Sequence, residues 1–302
     1  MRDPSELVQF HAAPELAGPV LIEALDGFID AGHAVRLSRE HLMSTFPHEE
    51  VATFEVDELL DHRARRPVLI FESDHWETYS RPKLAVHLLR DANDTPFMLL
   101  SGPEPDIQWE RFIAAMTLVI ERLNVRLTIG LHGVPWQAPH TRPIGITAHG
   151  RPKELLTTPR LPVGRVQVPA SVGHLLEYRL NGQGRSAIGF AAHVPHYLSA
   201  VEYPPPAAAL LAAVEKTAGL SLSLDSLHAS ATEAQNTVDE QILRDEQAQT
   251  VIRDLEESYD EAAGTVTGLQ ADELPTGDEL GAAFQRFLSE RSRPTGSDEP
   301  PA

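Results

Sequence analysis

The chain has 302 residues, 42% of them apolar and 23% charged, a composition that supports one large hydrophobic core or two ordinary ones and excludes wholesale disorder. Its formal charge of -19 opposes binding to nucleic acid phosphates and anionic lipid, and no basic patch offsets it, lysine occurring only at Lys83, Lys153 and Lys216. Cysteine is absent, which removes disulfides, thiolate metal sites and a cysteine nucleophile.

The opening Met-Arg-Asp-Pro-Ser-Glu lacks the basic and apolar stretches of a secretory signal, and no apolar run approaches the roughly 20 residues of a spanning helix. A cytoplasmic protein without membrane contact is expected. Short apolar runs then alternate with helical periodicity, the pattern of an α/β fold whose mostly parallel sheet is flanked by helices. The expected strands are Leu7 to His11, Val20 to Leu25, Val68 to Glu72, Phe97 to Ser101, Arg126 to Leu131, Ile144 to His149, Arg165 to Val168 and Ala187 to His193.

A helix is expected after Asp30, and a second over Arg81 to Arg90, where Pro82 suits a first turn. Asp106 precedes Trp109, Phe112, Ile113, Met116, Ile120 and Leu123, one apolar stripe at three- and four-residue spacing. Asn181-Gly182 is a turn signal, so Gly182 to Ala187 reads as a hairpin and not as a dinucleotide fingerprint. A helix from the prolines at 204 to 206 ends at Gly219.

The character changes at Asp225. Residues 225 to 302 hold 18 acidic and 5 basic residues (net -13), against 26 and 20 (net -6) in the preceding 224. This divides the chain into an α/β core over 1–224, an acidic helical extension over 225–292 and a disordered tail over 293–302. Thr232 with Gln235, and Thr276 with Glu279, form capping-box patterns that open two helices with apolar stripes.

Four residues at strand ends are the candidate binding groups: Asp30, Asp74, His140 and Arg142. The strand from Val20 leads into Gly27-Phe28-Ile29-Asp30-Ala31-Gly32, at the carboxyl edge where open parallel sheets bind ligands. Asp30 there is either a polar group in a crevice or the cap of the following helix, and its residue type favours the cap. His140 and Arg142, in the Pro-rich loop after Gly130, read as a base and an anion clamp or as structural partners of the backbone and of the many carboxylates. Asp74-His75 places a carboxylate and an imidazole at a further strand end, following what reads as a buried run, but no Gly-x-Ser-x-Gly elbow accompanies them. His193-Val194-Pro195-His196 offers two imidazoles without a third ligand in a known spacing, so neither metal nor cofactor is expected.

The segment Gly27 to Gly32 resembles the Gly-Trp-x-Asp-Ala-Gly pattern of the proteasome assembly chaperone 2 family, with Phe28 at the aromatic position. Pro139 to Pro143, Gly189 to Tyr197 and Leu274 to Leu280 look like its actinobacterial branch, and the resemblance spans most of residues 7 to 290. It implies a fold similar to nucleoside phosphorylases, self-association such as a homotrimer, and, in the eukaryotic branch, assistance to proteasome ring assembly. The final Asp-Glu-Pro-Pro-Ala departs from the hydrophobic-Tyr-x ending of archaeal relatives that engage proteasomes. The expected function is that of a non-enzymatic chaperone or scaffold binding its own copies, proteasome subunits or other proteins. The alternative is a small-molecule binder or a hydrolase or phosphorylase-like enzyme using the strand-end crevice.

Overall fold

Apolar residues on both parities of the central strands force those strands to be covered on both faces. In the computed structural model, which describes residues 2–12, 14–156 and 167–265, helices supply that cover. The first strands are β1 (Val8–Phe10), β2 (Val20–Asp26), β3 (His48–Phe54), β4 (Leu69–Glu72) and β5 (His75–Tyr79). They are followed by β6 (Ala85–Arg90), β7 (Pro96–Pro103), β8 (Leu127–Trp136), β9 (Ile146–Arg151) and β10 (Ala187–Pro195). The helices are α1 (Ala34–Thr45), α2 (Trp109–Arg122), α3 (Val172–Gly182), α4 (Pro205–Ala218), α5 (Asp225–Leu243) and α6 (Glu246–Thr265).

Eight strands form one sheet in the order β1-β3-β6-β7-β2-β8-β10-β9. The central β7, β2, β8 and β10 run parallel, while β1, β3 and β6 on one side and β9 on the other pair antiparallel. Along β2, Leu21 and Leu25 join Phe112 and Met116 of α2 and Val172 and Leu176 of α3. The alternate Val20, Ile22 and Ala24 join Val35 and Leu42 of α1 and Leu210 and Val214 of α4 on the opposite face. The expected α/β architecture, a parallel sheet between helices, is therefore present, extended by antiparallel margins.

Several local expectations are corrected. Arg81 to Arg90 holds no helix among its residues; Ala85–Arg90 is strand β6, inserted between β3 and β7 with both faces buried. Sheet pairing overrides the helix signal of Pro82, as tertiary contacts commonly override propensity. Gly182 to Ala187 is no hairpin: Gly182 closes α3, and Gly184, at φ 75°, turns the chain into β10. Helix α3 itself was not expected, although Val172, Leu176 and Leu180 form a buried i, i+4, i+8 stripe behind the Ser171 cap. Strand β3 was also missed.

The run Val68 to Glu72 is a strand but an exposed one, paired only with β5 outside the main sheet. Thr232 is no cap; it lies inside α5, which starts at Asp225, and its hydroxyl donates to the His228 carbonyl one turn back. Of Arg165 to Val168, Gln167 and Val168 are not in a strand and the rest lie outside the described residues, as do the second capping box and residues 293–302. Among the described residues no helix is long and apolar enough to cross a membrane.

One buried polar group of the sheet gives the fold a pH dependence. His87 on β6 is 6% exposed, and its Nδ1 has no hydrogen-bond partner. Burial pushes its pKa down from 6.5 to about 4, with Glu50 opposing and the nearby His48 and Lys83 adding. The folded state then binds fewer protons than the unfolded state between these values. Its contribution is present above pH 6.5 and is lost as pH falls through 4, up to about 3 kcal/mol. The free energy of urea unfolding of the parent relative to His87→Gln, which cannot titrate, is expected to fall by up to that amount between about pH 7 and pH 4; a difference independent of pH would contradict it.

Candidate functional site

The turn after β2 shows what the Gly27 to Gly32 motif does. Helix α1 begins after His33, which is left-handed at φ 53° and supplies no side-chain cap. Asp30 reaches past it: Oδ1 accepts from the Val35 amide at 2.8 Å and Oδ2 from the Arg36 amide at 3.0 Å. Burial raises the pKa of this carboxyl against the pull of those two amides. Gly32, at φ 64°, donates its amide to the Ser199 carbonyl and accepts from the Tyr203 amide. A Cβ there would lie 3.1 Å from Val194 Cγ1, so the residue suits both the left-handed backbone and the close approach. Gly27 ends in a loop that exposes Phe28. Asp30→Ala is expected to lower unfolding stability by about 1–2 kcal/mol, with Asp30→Asn milder; unchanged denaturant midpoints would show that the two amides do not need it.

His140 and Arg142 meet the acidic extension. His140 is 2% exposed, its amide donates to the Tyr197 hydroxyl at 2.7 Å, and its Nε2 lies 2.9 Å from Asp239 Oδ1 on α5. Gln235 of α5 donates to the His140 carbonyl. Arg142 forks onto Asp260 of α6 through Nε and NH2, at 2.8 and 2.6 Å, while NH1 reaches Glu256 at 3.1 Å. Thr141 also bonds Glu256. The loop thus holds both helices of the extension against their own chain. Asp74 lies elsewhere, on the exposed β4–β5 turn, 2.9 Å from the His75 ring. The four expected residues serve a helix start, a helix clamp and a hairpin turn. Arg142→Ala is expected to speed amide exchange across residues 246–261 and leave the sheet unchanged, an effect reproduced in part by high salt. Unaltered exchange would show that the extension is held otherwise.

A second cluster emerges only from strand register. Glu23 of β2 lies opposite Gly130 of β8, Gly130 opposite Gly189 of β10, and Gly189 opposite His149 of β9. This row crosses four strands on the α3 face, and its two middle members carry no side chain. Glu23 leans over the gap from one side and His149 from the other. A Cβ on Gly130 would sit 3.2 Å from both Glu23 Oε2 and His132 Nε2, and one on Gly189 would sit 2.2 Å from His149 Cε1 and 2.6 Å from its Nε2. From above, α3 brings His174, with Gly173 so close to Glu23 that a Cβ would come within 2.5 Å of Oε2.

The charges here are unusual for a sheet interior. Glu23 is 4% exposed; its Oε1 accepts from the Leu25 amide at 3.1 Å, while Oε2 is buried without a partner. Burial pushes its pKa up to about 7, helped by the neighbouring charges of Glu104 and Glu177 and opposed by the Leu25 amide. Burial, with His174 and His149 alongside, holds His132 well below its ordinary value, and burial lowers His174 as well. The His132 ring centroid lies 4.2 Å from that of His174 and 5.8 Å from that of His149. Each of the three can offer a ring nitrogen such that the three atoms fall within 4.8 Å of one another. Glu177 Oε1 accepts from His149 Nδ1 at 3.2 Å, with Oε2 of the same carboxylate 2.9 Å away, and Ser171 Oγ lies 2.9 Å from His174 Nδ1. The sequence reading missed this group because linear spacing carries no trace of it. The available signal was β8, where Thr128, Gly130 and His132 alternate with the apolar Ile129 and Leu131.

The PAC2 family profile matches residues 24–242, a span running from β2 through most of α5. The chain belongs to the PAC2 family. A Mycobacterium tuberculosis protein of unknown function is 46% identical with a TM-score of 0.82, the match covering 85% of this chain and 92% of that one. A Corynebacterium glutamicum protein of unknown function is 38% identical with a TM-score of 0.81, covering 84% and 97%. A proteasome-assembly chaperone homologue from M. tuberculosis is 25% identical with a TM-score of 0.71, covering 77% and 99%. No curated protein matches the sequence.

Proposed function

We propose that this PAC2 protein is a non-enzymatic assembly factor that binds protein surfaces, first of all a second copy of itself, through the β4–β5 hairpin. The observation that carries the reading is the hairpin's exposure. Val68, Leu69, Ile70, Phe71, Trp76 and Tyr79 are each 44% to 64% exposed, and Phe71 and Trp76 pack edge to face on one another, centroids 5.0 Å apart. A lone two-stranded hairpin is marginal in water, and an apolar patch of this kind marks an interaction surface.

Charge favours a second copy as its occupant. Residues 63 to 81 hold four basic residues (Arg63, Arg65, Arg66 and Arg81) and three acidic ones (Glu72, Asp74 and Glu77), net +1, within a chain of net -19. Arg63, Arg65 and Arg81 pair with Asp61, Asp106 and Glu55 of their own chain, which leaves this stretch with little net charge, so two chains repel less here than over their strongly acidic remainder. Self-association is also what the family resemblance implies, and the M. tuberculosis chaperone homologue extends the reading to assembly of proteasome subunits.

Light scattering tests it. The full chain is expected to be oligomeric and the Phe71→Asp, Trp76→Asp double variant a folded monomer, because the hairpin stands outside both cores. A monomeric parent, or a variant as large as the parent, would overturn self-assembly through the hairpin. Mixed with proteasome α subunits, the parent is expected to bind them or to hasten ring formation; neither effect would sink the assembly role.

A further inference from the structure

We propose that His132, His149 and His174 form a binding site for one divalent first-row transition ion of the zinc class, with Glu23 supplying compensating charge beside it.

Geometry carries this. Three imidazoles from a central strand, a marginal strand and a helix place ring nitrogens within 4.8 Å of one another, close enough for small ring rotations to bring them to the roughly 3.4 Å spacing of nitrogen ligands around a single ion. Neutral imidazole is the ligating form, and borderline ions such as zinc, cobalt and nickel favour it, whereas calcium and magnesium take oxygen. The outer contacts match those of metal-bound histidines. An ionised Glu177 carboxylate only accepts, so His149 Nδ1 carries the proton and Nε2 keeps its lone pair toward the Gly189 hollow. Ser171 Oγ, which accepts from the His174 amide, also lies 2.9 Å from His174 Nδ1, and a proton on that nitrogen leaves Nε2 to ligate.

Two further observations point to a ligand. Glu23 Oε2 is buried without a hydrogen-bond partner, a costly arrangement that a nearby cation relieves. Gly130 and Gly189 keep side chains out of the space between Glu23 and His149, where a Cβ on Gly189 would strike the His149 ring and one on Gly130 would press on His132 and Glu23. Solvent reaches the cluster from the β9 side, the His149 side chain being 34% exposed, so an ion enters without unfolding of the sheet. The sequence reading expected no metal; strand pairing, not spacing, gathers these residues.

The test is calorimetric titration of chelator-treated full-length protein with Zn²⁺, repeated with Co²⁺ to read coordination from its visible spectrum. One ion per chain is expected, with a nitrogen-rich cobalt spectrum. His149→Ala and His174→Ala are expected to weaken Zn²⁺ binding at least about a hundredfold, and Glu177→Gln, which keeps all three ligands, about ten- to a hundredfold. His228→Ala, on the exposed start of α5, is expected to bind as the parent does. Circular dichroism checks that each variant is folded, and Glu177→Gln keeps the test alive if the histidine variants are not. Absence of stoichiometric binding by the parent, or equal binding by the folded variants, would overturn the site.

Discussion

Double burial of the parallel strands governs where charge can go in this molecule. Strands β7, β2, β8 and β10 lie between helices on both faces, so a side chain on either parity meets apolar neighbours unless a local device receives it. Some buried ionisable residues elsewhere in the fold have such a device. Arg111 of α2, 3% exposed, spends its guanidinium on Glu58, Glu6, Gln108 and the Asp3 carbonyl, tying the N-terminal segment down. Asp91, after β6, receives the amides of Asn93, Thr95 and Ser221. Glu23 alone among the buried carboxylates of the described residues keeps an oxygen unpaired, and it faces three imidazoles across a row of glycines.

The same constraint explains what the sequence made legible. Strands β2, β7 and β10 read as largely apolar runs because both their faces are covered, β8 as apolar residues alternating with Thr128, Gly130 and His132, and α2 as a stripe because only one of its faces is covered. Asp30 was readable as a cap from residue type and position, though the amides it serves lie five and six residues on, beyond an ordinary first turn. Strand β6 was not readable, since Ala85 to Arg90 suits a helix by propensity and becomes a strand only between β3 and β7. Likewise His132, His149 and His174 share no motif. What joins them is pairing of β8, β10 and β9 and the placement of α3 above, information that exists only after folding.

The Pro-rich loop after β8 illustrates how a polar cluster acquires a structural role. Its histidine and arginine have the residue types of a catalytic pair, yet the chain carries its own ligands for them in Asp239, Glu256 and Asp260. Acidity concentrated in the extension is thus partly spent on the core that precedes it. Apolar contacts complete the join, with Leu227, Ala231 and Ile252 buried and Ala234 and Val238 packed near Tyr203. Among the described residues the β4–β5 hairpin pairs with no further strand and joins neither core, which separates the two candidate surfaces physically.

Strand β9 joins the sheet only along β10, antiparallel, at its outer margin. Side chains of a strand alternate between faces, so a slip of a single residue would carry His149 to the opposite face and bring Ala148 or Gly150 in its place. A ligand cluster that borrows one member from such a margin is a vernier: it closes only when the last strand is seated in its correct register. Completion of that cluster would mark the moment at which the border of the sheet, and not merely its interior, has reached its final form.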